Sequence, residues 1–220
     1  MCGIAGVIAP GHRNIISKLT DTMRHRGPDD EGFYHDDTIS IGQRRLSIVD
    51  VAGGHQPICN EEGNLQLVCN GEIYNSPKLR RDLEARGHVF KTHTDVETAL
   101  HLYEEYGANC TKHLRGMFGI AIWNAREKSL FLARDHMGQK PLFYYFDGNI
   151  FLFASEVKAI LASGIVKPEL IPTMNYIHAS SSQKTNLRYV LVLYQSCRAS
   201  PSSIFLLCKY LHSIVKQKTA

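Results

Sequence analysis

A chain of 220 residues, 44% hydrophobic and 21% charged, is long enough to bury one substantial core. Its formal charge of +4 comes from the last fifty residues, which hold six Lys or Arg and no Asp or Glu; the first 170 carry 19 basic against 21 acidic residues, so no basic face marks a nucleic-acid binder. No apolar run approaches the roughly 20 residues that span a bilayer, the apolar start breaks at Pro10-Gly11 without a charged n-region, and six irregularly spaced cysteines argue against a disulfide framework or zinc knuckle. The expectation is a cytoplasmic protein with no membrane and no nucleic-acid partner.

Gly3 to Ala9 reads as a buried strand closed by the Pro10-Gly11 turn, which sets Cys2 at its start. Ile15, Ile16, Leu19 and Met23 recur at helical spacing and predict an amphipathic helix before a loop at His25 to Asp30. Short strands are expected at Thr38 to Gly42 and Arg45 to Val49, and another at Leu65 to Cys69 that runs into the turn-prone Asn70-Gly71-Glu72. Ser76-Pro77 offers an N-cap followed by proline at the first helical position, with Leu79 and Leu83 as the buried stripe and Gly87 as the stop. Thr94 and Glu97 have capping-box spacing, predicting a second helix from beside Asp95 to near Gly107.

Met117 to Trp123 and Ser129 to Arg134 form the next expected strand pair, and Leu142 to Phe146 joins Ile150 to Ala154 across Asp147-Gly148 as a hairpin. Ser155 then caps a last short helix stopped by Gly164. Antiparallel strands with helices between them give an α+β class with two sheets and no internal repeat. Beyond about Pro172 the style changes: Ser180 to Ser182 and the brief apolar runs Tyr189 to Tyr194 and Ile204 to Cys208 lack matching caps. Residues 1–170 are therefore read as the domain, and 171–220 as a tail of frame-shifted or disordered character.

Cys2 stands directly behind the initiator methionine. Removing Met1 would place a thiol and a free α-amine on one residue, and unperturbed groups of both kinds titrate within about two units of neutrality, so a nucleophile could carry its own base. A lone cysteine is more often a small buried residue. The surrounding segments change that balance. Met1-Cys2-Gly3-Ile4-Ala5-Gly6, Arg24-His25-Arg26-Gly27-Pro28-Asp29, Arg45-Leu46-Ser47-Ile48-Val49-Asp50, Asn70-Gly71-Glu72-Ile73-Tyr74-Asn75, Thr94-Asp95 and the Arg134-Asp135-His136 to Lys140-Pro141-Leu142 stretch resemble the class II glutamine amidotransferases. In order and spacing they are similar to the glutaminase domain of asparagine synthetases, over residues 1 to about 170. The resemblance implies an N-terminal-nucleophile hydrolase fold, a four-layer α/β/β/α sandwich.

It also implies that Cys2 attacks the side-chain amide of glutamine, forming a γ-glutamyl thioester, with the Asn70 side chain and the Gly71 N–H as oxyanion donors. Arg45 corresponds to the carboxylate-binding arginine, Glu72 and Asp95 to the groups that meet the substrate's amino end, and the backbone of Ile48 and Val49 to the pocket lining. Read from the residues alone, Asn70-Gly71 is an ordinary turn, Arg45 a solvated strand residue opposite in direction to Arg44, and Asp95 a favourable charge at a helix start; the last two roles of Asp95 are compatible.

Eleven histidines without HExxH or paired ligand spacing read as a scattered population, so no metal is expected. The resemblance assigns ATP and Mg to a synthetase domain that would normally be covalently attached; no Ser-Gly-Gly-Leu-Asp-Ser-type phosphate loop occurs here, so the chain reads as truncated before it. Glutaminase chemistry itself calls for no cofactor, and a homodimer stays open. The rival readings are a folded but inactive fragment and a non-catalytic interaction module.

Overall fold

The computed structural model describes residues 1–167 and the backbone of 190–192. In chain order its elements are β1 (Gly3–Ile8), α1 (His12–Asp21), β2 (Asp30–His35), β3 (Ser40–Arg45), β4 (Ile58–Cys59), β5 (Leu65–Ile73), α2 (Ser76–Glu84), α3 (Glu97–Tyr106), β6 (Gly116–Asn124), β7 (Ser129–Arg134), β8 (Phe143–Phe146), β9 (Phe151–Ala154), α4 (Val157–Ala162) and β10 (Val190–Val192). The strands form two antiparallel sheets, one ordered β10-β8-β9-β1-β3-β2 and the other β4-β5-β6-β7.

Three apolar clusters separate four layers. Ile16, Leu19 and Met23 of the α1 region meet Ala5, Val7, Leu152 and Ala159, burying one face of the first sheet under α1 and α4. Ile4, Ile41 and Phe153 of that sheet face Val68, Ala121, Trp123 and Leu132 of the second across the middle of the molecule. Leu67, Cys69, Ile120, Ile122 and Phe131 on the outer face of the second sheet pack against Leu83, Ala99, Leu100 and Leu102 of α2 and α3. The α/β/β/α sandwich implied by the resemblance is thus present. Both faces of each central strand are covered, which is why β1 and β6 read as near-continuous apolar runs instead of alternating ones.

Several local expectations differ from the structure. β2, Asp-Glu-Gly-Phe-Tyr-His, was not foreseen because an edge strand with exposed polar positions carries little apolar signal; it pairs Phe33 with Gly42 and Tyr34 with Ile41. The strand expected at Arg45 to Val49 ends instead at Arg45, and the chain leaves the sheet because the carbonyls of 49–51 turn inward to the Arg45 guanidinium. Asn70-Gly71 is not a turn: β5 continues to Ile73, pairing Asn70 with Gly119 and Gly71 with Phe118. Glycine is needed at 71 for close approach, since a Cβ there would lie 2.2 Å from Met117 O.

The capping box does not form either. Glu97 is the first residue of α3, and its carboxylate accepts hydrogen bonds from Lys91 N, Thr92 N and the Thr92 hydroxyl, while the Thr94 hydroxyl meets Thr92. Ser155 turns away from α4 and accepts a hydrogen bond from Ile4 N at 3.0 Å, tying the hairpin end to the strand that begins beside Cys2. α2 starts at Ser76, one residue earlier than expected, so Asn75 and not Ser76 is the flanking residue and Pro77 lies within the first turn. The β6–β7 pair and the β8–β9 hairpin lie where the sequence puts them.

Ser180 to Ser182 and Ile204 to Cys208 lie outside the described residues. Of Tyr189 to Tyr194, the backbone of Val190–Val192 is described and pairs antiparallel with β8, Val190 opposite Tyr145. Among the described residues no helix is long and apolar enough to cross a membrane, and no disulfide joins the described cysteines.

Candidate active site

β1 lies between β3 and β9, so the residue before it emerges at the mouth of the sandwich. There Cys2 borders a cavity of about 220 Å³ whose lining also includes Arg45, Ile48, Val49, Asn70, Gly71, Glu72 and Asp95. Residues separated by more than ninety positions in sequence converge because the ends of β1, β3 and β5 and the segment before α3 all open on one side. Cys2 Sγ accepts a hydrogen bond from Leu46 N at 3.4 Å and lies 3.8 Å from Leu46 O. Its carbonyl is fixed by Arg26 Nε at 2.9 Å, and Arg26 Nη1 is itself paired with Glu156 at 3.0 Å. Arg26 and Glu156 thereby hold Cys2 in place.

The free edge of β5 supplies the facing wall. Phe118 directs its N–H to the Asp135 carboxylate and its C=O to Asp135 N, so its pairing with Gly71 is of the non-hydrogen-bonded kind and the Gly71 N–H points away from β6. Its neighbours on that edge are already engaged: Cys69 N donates to Gln56 Oε1 at 2.7 Å, Gln43 Nε2 donates to Cys69 O at 2.8 Å, and Ile73 N donates to Asp95 Oδ2 at 2.5 Å. Gly71 sits between these capped positions beside the cavity. The adjoining Asn70 is 1% exposed, yet its Nδ2 has no hydrogen-bond partner among the described residues. A buried amide donor without an acceptor costs free energy in the resting protein, and a catalytic role is one of the reasons such a group is kept.

Arg44 and Arg45 project to opposite sides of β3, as strand alternation requires. Arg44 pairs with Asp21 and with Glu31 at 2.6 Å, on the α1 side. Arg45 faces the cavity, but its guanidinium donates to Val49 O at 3.0 Å, Asp50 O at 2.6 Å and Val51 O at 3.2 Å. The sequence did not indicate this second task. Asp50, at a left-handed φ of 48°, braces the loop from behind: its carboxylate accepts His93 N at 2.8 Å and Gly53 N at 3.0 Å, joining the 48–54 loop to the segment carrying Asp95. The His93 bond chiefly, with that from Gly53, holds the Asp50 carboxyl below its ordinary range.

Gln56, Cys69, Thr94 and Lys140 line the same cavity and were not singled out from sequence as site residues. Cys69 was one residue from the Asn-Gly pair, and Lys140 lay inside a motif already noticed for its resemblance. Burial first, then the nearby Asp95 carboxylate and Cys2, push the Cys69 thiol well up, so it stays protonated at neutral pH and does not compete as a nucleophile. Lys140, 7% exposed, is delivered by a loop built on Asp135, which accepts Gln139 N at 2.9 Å and Lys140 N at 3.0 Å, while Arg134 Nε donates to Lys140 O at 2.8 Å.

The histidines are less scattered than their spacing suggests. Away from the cavity, His88 and His101 converge with Glu61 and Glu104. Burial alone would lower the His101 pKa, but the hydrogen bond with Glu104 and the nearby Glu97 and Glu61 carboxylates override it and push it up to about 9.

A family model described as a glutamine amidotransferase domain matches residues 1–198. Asparagine synthetase (glutamine-hydrolyzing) 3 of Bacillus subtilis (strain 168) is 41% identical over 174 residues, covering 76% of this chain and 28% of that protein. A probable asparagine synthetase (glutamine-hydrolyzing) of Dictyostelium discoideum is 40% identical over 197 residues, covering 86% and 35%. Among solved structures, the glutamine phosphoribosylpyrophosphate amidotransferase from B. subtilis superposes with a TM-score of 0.63 at 21% identity, over 74% of this chain and 44% of that one. The chain spans roughly a quarter to a third of the length of these curated relatives.

Proposed function

We propose, because this chain belongs to the glutamine amidotransferase domain family, that its cavity hydrolyses the side-chain amide of glutamine through Cys2. The observation that carries this reading is the convergence of the Cys2 thiol, the unpartnered Asn70 amide and the outward Gly71 N–H on one cavity. Once Met1 is removed, the Cys2 α-amine takes the thiol proton as sulfur adds to the amide carbon. The carbonyl oxygen becomes an oxyanion that accepts hydrogen bonds from Asn70 Nδ2 and Gly71 N–H. The amine then passes its proton to the leaving nitrogen, the C–N bond breaks, and ammonia departs from a γ-glutamyl thioester. Water adds to the thioester with the amine again as base, the C–S bond breaks, and glutamate leaves with the thiol restored.

Arg45 and the backbone of Ile48 and Val49 receive the substrate α-carboxylate, with Glu72 and Asp95 toward its α-ammonium. Because Arg45 also holds the carbonyls of 49–51, its charge and the shape of that wall act together. Neither hydrolytic step calls for a cofactor. The relatives named asparagine synthetase support the further reading that the ammonia serves an ATP- and Mg-dependent amidation of aspartate in a covalently attached synthetase domain. A homodimer is compatible with the family, and a cytoplasmic location fits the thiol chemistry.

The test is covalent capture. A glutamine analogue bearing an electrophilic ketone should label the chain once, and peptide mass mapping should place the adduct on Cys2, with glutamine protecting it. Labelling at Cys69 instead, or labelling that glutamine does not slow, would remove the basis for Cys2 as nucleophile.

A further inference from the structure

The most complete polar constellation outside the cavity joins three separate stretches of chain. Glu61 lies in the turn between β4 and β5, His88 follows α2, and His101 and Glu104 stand three residues apart on α3. One potential ligand atom from each lies within 4.8 Å of all the others. His101 Nδ1 is 2.7 Å from Glu104 Oε2 and 3.7 Å from Glu61 Oε2, while His88 Nδ1 is 3.4 Å from Glu104 Oε2 and 3.7 Å from Glu61 Oε1. Tetrahedral zinc with bonds of about 2.0–2.1 Å separates its ligand atoms by about 3.3 Å. With one atom from each residue within 4.8 Å of the others, shifts of about 1.5 Å or less in pair separation bring the set to that spacing.

The groups behind these atoms make the set more than a meeting of charges. His88 Nε2 faces Glu105 Oε1 at 3.1 Å, and His101 Nε2 faces Glu97 Oε1 at 3.7 Å, the carboxylate-behind-imidazole arrangement that orients metal-binding histidines. His101 Nε2 is buried and makes no hydrogen bond among the described residues. A metal on Nδ1 would leave the ring proton on Nε2, with Glu97 already beside it. The carboxylates are aimed as well: Glu104 Oε1 accepts Asn60 Nδ2 at 2.7 Å, and Glu61 Oε1 accepts Val89 N at 2.7 Å.

We propose that Glu61, His88, His101 and Glu104 bind one divalent first-row transition ion, zinc by the chemistry of the donors, in a closed tetrahedral site of two imidazoles and two carboxylates. Four protein ligands leave no open position, so the ion is structural. It fastens the β4–β5 turn and the segment after α2 to α3, and that segment runs on to Thr94 and Asp95 at the cavity.

The full chain, stripped with a chelator and exchanged into metal-free buffer, is titrated with Co2+ and separately with Zn2+. Expected are one equivalent bound, the visible d–d bands of tetrahedral cobalt without a thiolate charge-transfer band, and a higher melting temperature with zinc. His88→Ala should weaken binding at least about tenfold while melting like the metal-free wild type. If His88→Ala does not fold, Glu61→Gln on the exposed rim should give the same loss. The proposal is overturned by the absence of stoichiometric binding, by a thiolate band showing that cysteines take the ion, or by unchanged affinity in the variants.

Discussion

Asn70→Ala separates the catalytic use of the Asn70 amide from any structural one. Its Nδ2 is buried and has no partner among the described residues, so truncation breaks no hydrogen bond to them through that atom. Deleting an unsatisfied buried donor offsets part of the packing lost with the side chain, and the melting temperature should move by no more than about 1 kcal/mol of stability would move it. Catalysis should respond very differently. Removing one oxyanion donor typically costs about 2.7–4 kcal/mol of transition-state stabilisation, or about 10²–10³ in kcat. Steady-state ammonia release gives kcat and KM, and a thermal melt gives stability. A kcat within about threefold of wild type, or a collapse of the fold accompanying the loss of activity, would refute the oxyanion role.

Other substitutions probe the remaining walls. Gly71→Ala places a Cβ 2.2 Å from Met117 O and 2.6 Å from Phe118 Cα, so β5 and β6 must part; a loss of about 1–3 kcal/mol in denaturant unfolding and loss of turnover are expected. Arg45→Ala should raise KM for glutamine by about tenfold or more, with a smaller effect on kcat, because a charge-assisted contact is worth about 1.5–3 kcal/mol; saturation kinetics check this. Burial would raise the Glu156 carboxyl, but hydrogen bonds from Arg26, Lys158 and His25 outweigh it and leave its pKa below 4.5. A carboxyl depressed on folding stabilises above its unfolded pKa and loses that contribution as pH falls through the folded value. The stability difference between wild type and Glu156→Gln should therefore be constant near neutrality and shrink below about pH 4.5 in melts across that range.

What could be read from the sequence follows the strength of local signals. Strong apolar runs bounded by turn residues located β1, β6, β7 and the β8–β9 hairpin, where Asp147 accepts Asn149 N and Ile150 N and Gly148 takes a φ of 97°. The layer order came from resemblance, because no local pattern says which face of a sheet meets a helix. Asn70-Gly71 misled as a turn because its glycine answers to the neighbouring strand, a contact that exists only after β5 and β6 pair. Thr94 and Glu97 have the spacing of a cap, but three donors at 91 and 92 draw the carboxylate elsewhere. Cys2, Asn70 and Asp95 were legible through motif resemblance. The Arg45 loop clamp and the His88–His101 cluster were not, since their partners are backbone carbonyls in one case and three separated segments in the other.

The measurement that bears most directly on the central claim is ammonia release from glutamine by the purified chain beside Cys2→Ala, with intact-mass determination of whether Met1 is gone. Equal amounts of ammonia and glutamate from Met1-free wild type, and none from folded Cys2→Ala, is the predicted result. Ammonia release that persists in Cys2→Ala, or none from folded wild type lacking Met1, would contradict it.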